Sequence, residues 1–266
     1  MTAAQKVIKY GAIAFAVLLI VSIFGGVLQA CGLLGTDAVL DEIKTYSVEQ
    51  EVLRLEVEVG AAEFAIRSGE QFSVESNLKY LTVEEKDGTL TVREDRKNGK
   101  NYEGPVLTLY VPEGYCFEEI DIETGAAVFT VHELSAKTVT LMLGAGQVDI
   151  DLLNASEKAE IQGGAGELNI KSGSIKSLDL DMGIGELNLT AALTGDSSLV
   201  CGVGESNITL LGAESDYQLR VNKGIGSAWV NGESISGNST HGSGDRAVQI
   251  DCGVGAVNIS FQQETR

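Results

Sequence analysis

The polar and apolar positions alternate with period two over most of the chain beyond residue 46, and the phase of the alternation slips at recurring glycines. In Leu178-Asp-Leu-Asp-Met-Gly-Ile-Gly-Glu-Leu-Asn-Leu189, Leu178, Leu180, Met182 and Ile184 share one face. Beyond Gly185 the parity shifts, so Leu187 and Leu189 face inward. Period two marks strands, and a one-residue slip at glycine is what a corner between two strands produces. Six Gly-x-Gly triplets begin at 144, 164, 183, 202, 224 and 253, at intervals of 20, 19, 19, 22 and 29 residues. Gly125-Ala-Ala and Gly60-Ala-Ala are degenerate earlier copies. No helical period separates the copies, and about 19 residues is too short for a four-stranded propeller blade. The pattern predicts an all-β, single-stack β-solenoid of ~19–20-residue coils, in which each strand pairs with its equivalent about 4.8 Å along the axis.

Residues 46–120 alternate less regularly, with Asp87-Gly88 marking a hairpin turn, and 121–262 carry the regular repeats. Pro105 and Pro112 flank one predicted strand, where a missing donor is tolerated. The order is an apolar strand with Gly60-Ala-Ala, an irregular insert, Val111-Pro-Glu-Gly114, then serial Gly-x-Gly strands. It resembles the bacterial "putative adhesin" family over roughly residues 46–262. That resemblance implies a surface-exposed repeat domain of unknown function, and it supplies no catalytic residue.

Ahead of this domain, residues 10–36 lack any charged side chain, and a helix needs about 20 such residues to cross a bilayer. Lys6 and Lys9 precede the stretch; Asp37, Asp41 and Glu42 follow it. The positive-inside rule then places residues 1–9 in the cytoplasm, 10–36 in the membrane, 37–45 as a linker or cap, and 46–266 outside. Two alternatives are a cleaved signal peptide and a lipoprotein attached through Cys31, since Leu28-Gln-Ala-Cys31 resembles a lipobox.

Charge and composition narrow the chemistry. With 19 Lys and Arg against 38 Asp and Glu, the chain has net charge −19, which excludes nucleic acid as a partner on electrostatic grounds. Hydrophobic content of 44% argues against disorder, and two histidines leave little for a histidine metal centre. No nucleophile-elbow, phosphate-loop or dinucleotide motif occurs. Gly163-Gly-Ala-Gly-Glu-Leu168 has Leu168 where a calcium nonapeptide needs Asp. No cofactor is implied.

Several columns nonetheless align across coils. Gln147, Glu167, Glu186, Glu205, Ser227 and Ala256 follow the glycines; Glu167, Glu186 and Glu205 could stack outward and loosely hold Ca²⁺, or simply splay into solvent. Asp149, Asn169, Asn188, Asn207, Trp229 and Asn258 form a second column, read as a hydrogen-bonded ladder. Trp229, the only Trp, precedes a Gly/Ser-rich excursion at 231–247. Lys223, Trp229, His241, Asp245 and Arg246 are therefore a candidate ligand patch, against the plainer reading of a loop folded over the Trp. Residues 93–101 form a cationic cluster, read as a solvated loop or a contact for anionic wall polymer. Cys201 and Cys252 occupy equivalent slots but are separated in sequence by the Gly224 coil, which predicts two free thiols about two coil spacings apart.

The expectation for function is a non-enzymatic, membrane-anchored envelope module, adhesin-like or scaffolding, with an envelope protein or polysaccharide as partner. One alternative is a β-helical polysaccharide-active enzyme. Another is a bactofilin-like scaffold that self-associates through its open solenoid ends.

Overall fold

A computed structural model describes residues 42–95 and 104–263. The expectations for residues 1–41, including the membrane segment and Cys31, lie outside the described residues. Among the described residues no helix is long and apolar enough to cross a membrane.

Seven strands precede the regular repeats: β1 (Lys44–Ser47), β2 (Arg54–Val59), β3 (Glu63–Gly69), β4 (Ser73–Ser76), β5 (Leu81–Lys86), β6 (Thr89–Glu94) and β7 (Val106–Pro112). The strand β8 (Phe117–Ile170) then winds through three glycine corners without interruption. It is followed by β9 (Gly173–Lys176), β10 (Leu178–Thr194), β11 (Ser197–Leu211), β12 (Tyr217–Asn222), β13 (Ile225–Val230), β14 (Glu233–Ile235), β15 (Ser239–His241) and β16 (Arg246–Gln262). All belong to one sheet system, predominantly parallel through the body of the stack. The architecture is β-solenoid-like.

The coils in the middle of the stack contribute three paired runs. In the β10 coil, Leu178–Met182 pairs in register with Ala159–Gly163, Ile184–Leu189 with Ala165–Ile170, and Ala192–Thr194 with Ser174–Lys176. Leu178, Leu180 and Met182 are buried, then Leu187, Leu189 and Ala191, then Leu193. The alternation thus slips once in this coil, at the glycines; Leu187, Leu189, Ala191 and Leu193 keep one parity, with Ala192 buried as well. Ile184 departs from the expected inward row: it is half-buried, and Ile225 in the terminal coil is 62% exposed. One continuous core runs from Val52 to Ile259.

The glycines are required by the stacking itself. Gly185 has φ +142°, and a Cβ there would strike the Gly166 carbonyl oxygen of the coil below. At the first position of the triplet, a Cβ on Gly144 would strike the Gly125 carbonyl oxygen. The degenerate Gly60 corner stacks in the same way, with Ala126 N–H donating to Gly60 O at 2.6 Å.

The stacking order departs from chain order at both ends. At the start, β2 and β3 lie between β6/β7 and β8, although β6 and β7 come later in sequence. At the finish, β16 inserts between β11 and the β12/β13 coil. Cys201 and Cys252 are therefore register partners in adjacent coils, which corrects the expectation of two coil spacings between them. Both are free thiols.

Antiparallel strands close the two ends. β4 runs antiparallel to β7 and β1 to β4, while β5 forms a hairpin with β6 through Asp87 and Gly88, both at positive φ. At the other end β14 covers β13 and β15 covers β12. The Gly/Ser-rich excursion is thus a cap.

Candidate functional site

The outward columns on the segment after the glycine corner are the most ordered polar feature of the molecule. Period two turns every second side chain of that segment outward, and in-register stacking repeats each one in the next coil. The Asn188 side-chain amide donates to Asn169 Oδ1 at 2.8 Å, Asn207 donates to Asn188 Oδ1 at 2.9 Å, and Asn258 donates to Asn207 Oδ1 at 2.8 Å. Asn169 donates to Asp149 Oδ1 at 2.9 Å and closes the ladder. The ladder follows the spatial order of the coils and passes straight from Asn207 to Asn258, with Trp229 beyond it.

Glu167, Glu186 and Glu205 stand in register beside this ladder, as their sequence positions imply. Glu167 and Glu186 each accept from the neighbouring Asn amide, at 2.8 and 2.9 Å. The carboxylates form a row rather than a cage. Among the described residues, no three His, Cys, Asp or Glu side chains converge to hold a metal ion.

The five residues of the candidate patch are spread over two layers, the terminal β12/β13 coil with its cap and the start of β16. Lys223 follows β12 directly, and its N–H donates to Asn238 of the excursion at 3.0 Å. Trp229 lies beyond the corner on β13, between Ser234 of β14 and Asn258 of β16. His241, on β15, faces Glu214 Oε1 at 3.9 Å and contacts Ser239 Oγ at 3.0 Å. Arg246 places its guanidinium over the Tyr217 ring at 5.3 Å, and Asp245 beside it is exposed. Tyr217, which the sequence reading missed, anchors this end: it is fully buried, and its hydroxyl donates to Leu211 O at 2.6 Å. Tyr217 looks like any other alternating apolar position, so only the cap geometry reveals its role.

In the N-terminal half, Arg93 pairs with Glu58 at 3.2 Å and Asp95 at 3.5 Å. The rest of its cationic cluster from residue 96 lies outside the described residues. Glu94 is 8% exposed and accepts from Gly60 N–H at 3.0 Å, capping the first glycine corner.

Two shallow depressions mark the outer surface. One, of ≈430 Å³, is lined by Lys158, Asp179, Asp196 and Arg220 among others; the second, of ≈510 Å³, is lined by Glu123, Met142, Gln162 and Asp181 among others. Inside, burial pushes the Cys201 thiol up, against a hydrogen bond from Ser206. Burial and then the neighbouring Cys201 push Cys252 up to about 11.

Repeats, register and glycine corners of this kind coincide with a family model, Toastrack DUF4097, which matches residues 52–264. The chain belongs to that family. Its fold is shared with a solved structure described as a putative adhesin from Bacteroides fragilis, at 17% identity and a TM-score of 0.54, covering 85% of this chain and 98% of that one. A second, described as a putative adhesin from Parabacteroides distasonis, is 17% identical with a TM-score of 0.45, covering 84% and 98%. No curated protein matches the sequence.

Proposed function

We propose that this Toastrack chain is a membrane-anchored, extracytoplasmic interaction or scaffold module without enzymatic activity. Residues 10–36 cross the membrane once, and the acidic β-stack presents its outer columns to an envelope protein or polysaccharide. The observation that carries this reading is the unbroken ladder from Asp149 to Asn258, in which rungs at 2.8–2.9 Å tie five coils together on one outward face. A face tied in this way is preorganised, so a partner binding it loses little side-chain freedom there. The adhesin description of the Bacteroides fragilis structure supports the same class of role.

End-to-end assembly has less support. The outermost strands at both ends are three to six residues long and carry Lys44, Glu84, Glu85, Lys86 and Glu233, features that blunt an open sheet edge.

Protease added to intact protoplasts tests the topology: it should remove residues 37–266, and full protection refutes the proposal. Fractionation of a Cys31→Ser variant separates the two kinds of anchor, because a transmembrane helix keeps the protein in the membrane and a lipid anchor through Cys31 does not. Pull-down from intact envelope with the full chain as bait should recover a partner that is lost when Glu167, Glu186 and Glu205 are changed together to Lys. Recovery unaffected by that change moves the binding face elsewhere.

A further inference from the structure

Two interior columns carry unexpected residues at the same place. In the column just before the corner, Met182, Cys201 and Cys252 follow one another in three consecutive coils. Lys223 comes next, because Asn222 is in register with Asp251. In the column just after the corner, Leu168, Leu187, Val257 and Ala228 are buried and apolar, whereas Ser206 brings a hydroxyl inside at 5% exposure. A buried hydroxyl among aliphatic groups is unusual, and this one lies near enough to the Cys201 thiol to hold its pKa down, against the larger opposing push of burial. The Gly224 N–H and the Lys223 ammonium both pull the Cys252 thiol down, against the larger push of burial and of Cys201. A cavity of ≈20 Å³, about the size of one water, is lined by Met182, Cys201, Ser206, Lys223 and Cys252 among others.

We propose that Cys201 and Cys252 form a binding site for one soft monovalent cation, Cu(I), held between two thiolates. The coil spacing favours a metal bridge over a disulfide. Register partners stand about 4.8 Å apart in a parallel sheet. That backbone spacing lies inside the ~4.4–6.8 Å a disulfide tolerates between Cα atoms, but Cβ atoms side by side at the same spacing exceed the ~3.5–4.5 Å it needs, so the two side chains would have to lean together. Two metal–sulfur bonds of about 2.3 Å each, the length typical of Zn–S, span nearly the native spacing when laid end to end. Thiolate and thioether donors select Cu(I) over harder cations. Met182 supplies the thioether from the coil below; its sulfur now fills the space over Gly163, and its unbranched chain can turn toward Cys201.

Loading is a ligand exchange without redox change. Two S–H bonds break, two Cu–S bonds form, and two protons leave to solvent. Two thiolates and Cu⁺ carry one negative charge, which the Lys223 ammonium offsets. Ser206 and Gly224 then act as hydrogen-bond donors to the two bound sulfurs, the outer-shell support that tunes a metal site. Because the thiols must give up protons, uptake strengthens as pH rises.

The test uses the full-length protein with Cys31 and Cys116 changed to Ser, kept reduced, and titrated with Cu(I) in competition with bicinchoninate. The expected result is one Cu(I) and two released protons per chain, with a rise in melting temperature. Cys201→Ser and Cys252→Ser should each abolish uptake, and Ser206→Ala should weaken it by about 10–100-fold. Circular dichroism of the metal-free Ser206→Ala protein separates lost binding from lost folding. No uptake by the parent protein overturns the proposal. So does uptake that survives the Cys201→Ser, Cys252→Ser double variant, or a parent that takes up no Cu(I) when reduced yet joins the two cysteines on mild oxidation.

Discussion

Replacing Asn188 tests whether the ladder holds the coils or merely decorates them. Its side chain takes part in three hydrogen bonds: it donates to Asn169 Oδ1 at 2.8 Å and to Glu186 Oε1 at 2.9 Å, and accepts from Asn207 at 2.9 Å. A typical net contribution is about 0.5–1.5 kcal/mol per bond, and the site is half-buried, so water replaces part of what is lost. Asn188→Ala should therefore cost about 2 kcal/mol in denaturant unfolding followed by circular dichroism. Asn188→Asp should cost more, because a second carboxylate oxygen then faces Asn169 Oδ1 and Glu186 Oε1 where a donor stood. The extra loss has a signed pH dependence. The repulsion disfavours the ionised form, so the folded-state pKa of the introduced carboxyl lies above its unfolded value. Stability is regained as pH falls through that raised folded value, and the gain is complete once pH is below the unfolded one. Asn258→Ala, at the end of the ladder, removes a single rung to Asn207 and should cost about half as much as Asn188→Ala. Equal effects of the two substitutions at position 188 at neutral pH, or equal effects of Ala at 188 and 258, would refute the reasoning.

The corner geometry predicts that Gly185→Ala, whose Cβ meets backbone of the next coil, abolishes soluble folded protein, whereas Gly114→Ala, also at positive φ but with open space around it, costs only about 1 kcal/mol; expression and melting of the two variants check this. Deleting residues 246–266 removes the coil between β11 and β12, so the loss should spread to β12–β15 and end in aggregation rather than local fraying, as hydrogen exchange or sizing will show. Cys252, with a thiol at about 11, should react with iodoacetamide orders of magnitude more slowly at pH 7.5 than exposed Cys116, and its rate should climb with pH toward 11. The same shift has a stability sign. The folded value is raised above the ordinary 9.0, so the stabilisation of the neutral thiol is complete below pH 9 and is lost as pH rises through about 11.

Period-two alternation and the Gly-x-Gly spacing carry the coil length, the parallel register and the identity of each column. The structure pairs Glu186 with Glu167 and Glu205, and Asn188 with Asn169 and Asn207, as those spacings require. The membership of a column is legible because a one-residue error would invert every side chain. What each column does was harder to read. Glu167 and Glu186 are tied to Asn amides, a contact that depends on side-chain rotamers the sequence does not encode.

The order of the coils was not legible, and the reason is physical. In-register parallel pairing is nearly degenerate among coils that all present the same Gly-x-Gly corner, so the β16 coil can sit on β11 as well as the β12/β13 coil can. Sequence adjacency breaks that degeneracy only when the connection is short, as in the 19-residue steps from 164 to 202. The two longer intervals, 22 and 29 residues, are where the rule fails. The extra length lets the chain step outward to form β12 and β13, cross them antiparallel with β14 and β15, and return to fill the layer beside β11. Edge protection favours that route. A sequential stack would end on β16, whose 17 residues include a continuous apolar-alternating edge, whereas the observed order ends on strands of three residues. The same permutation turns Cys201 and Cys252 from distant thiols into neighbours, so cap and thiol pair arise from one rearrangement. Shortening the excursion at 233–243 should expose the choice directly. If the cap directs the order, the shortened chain loses the Cys201–Cys252 adjacency, and a bifunctional thiol reagent of short span that links them in the parent should no longer do so. Linking that persists would place the cause in the coils themselves.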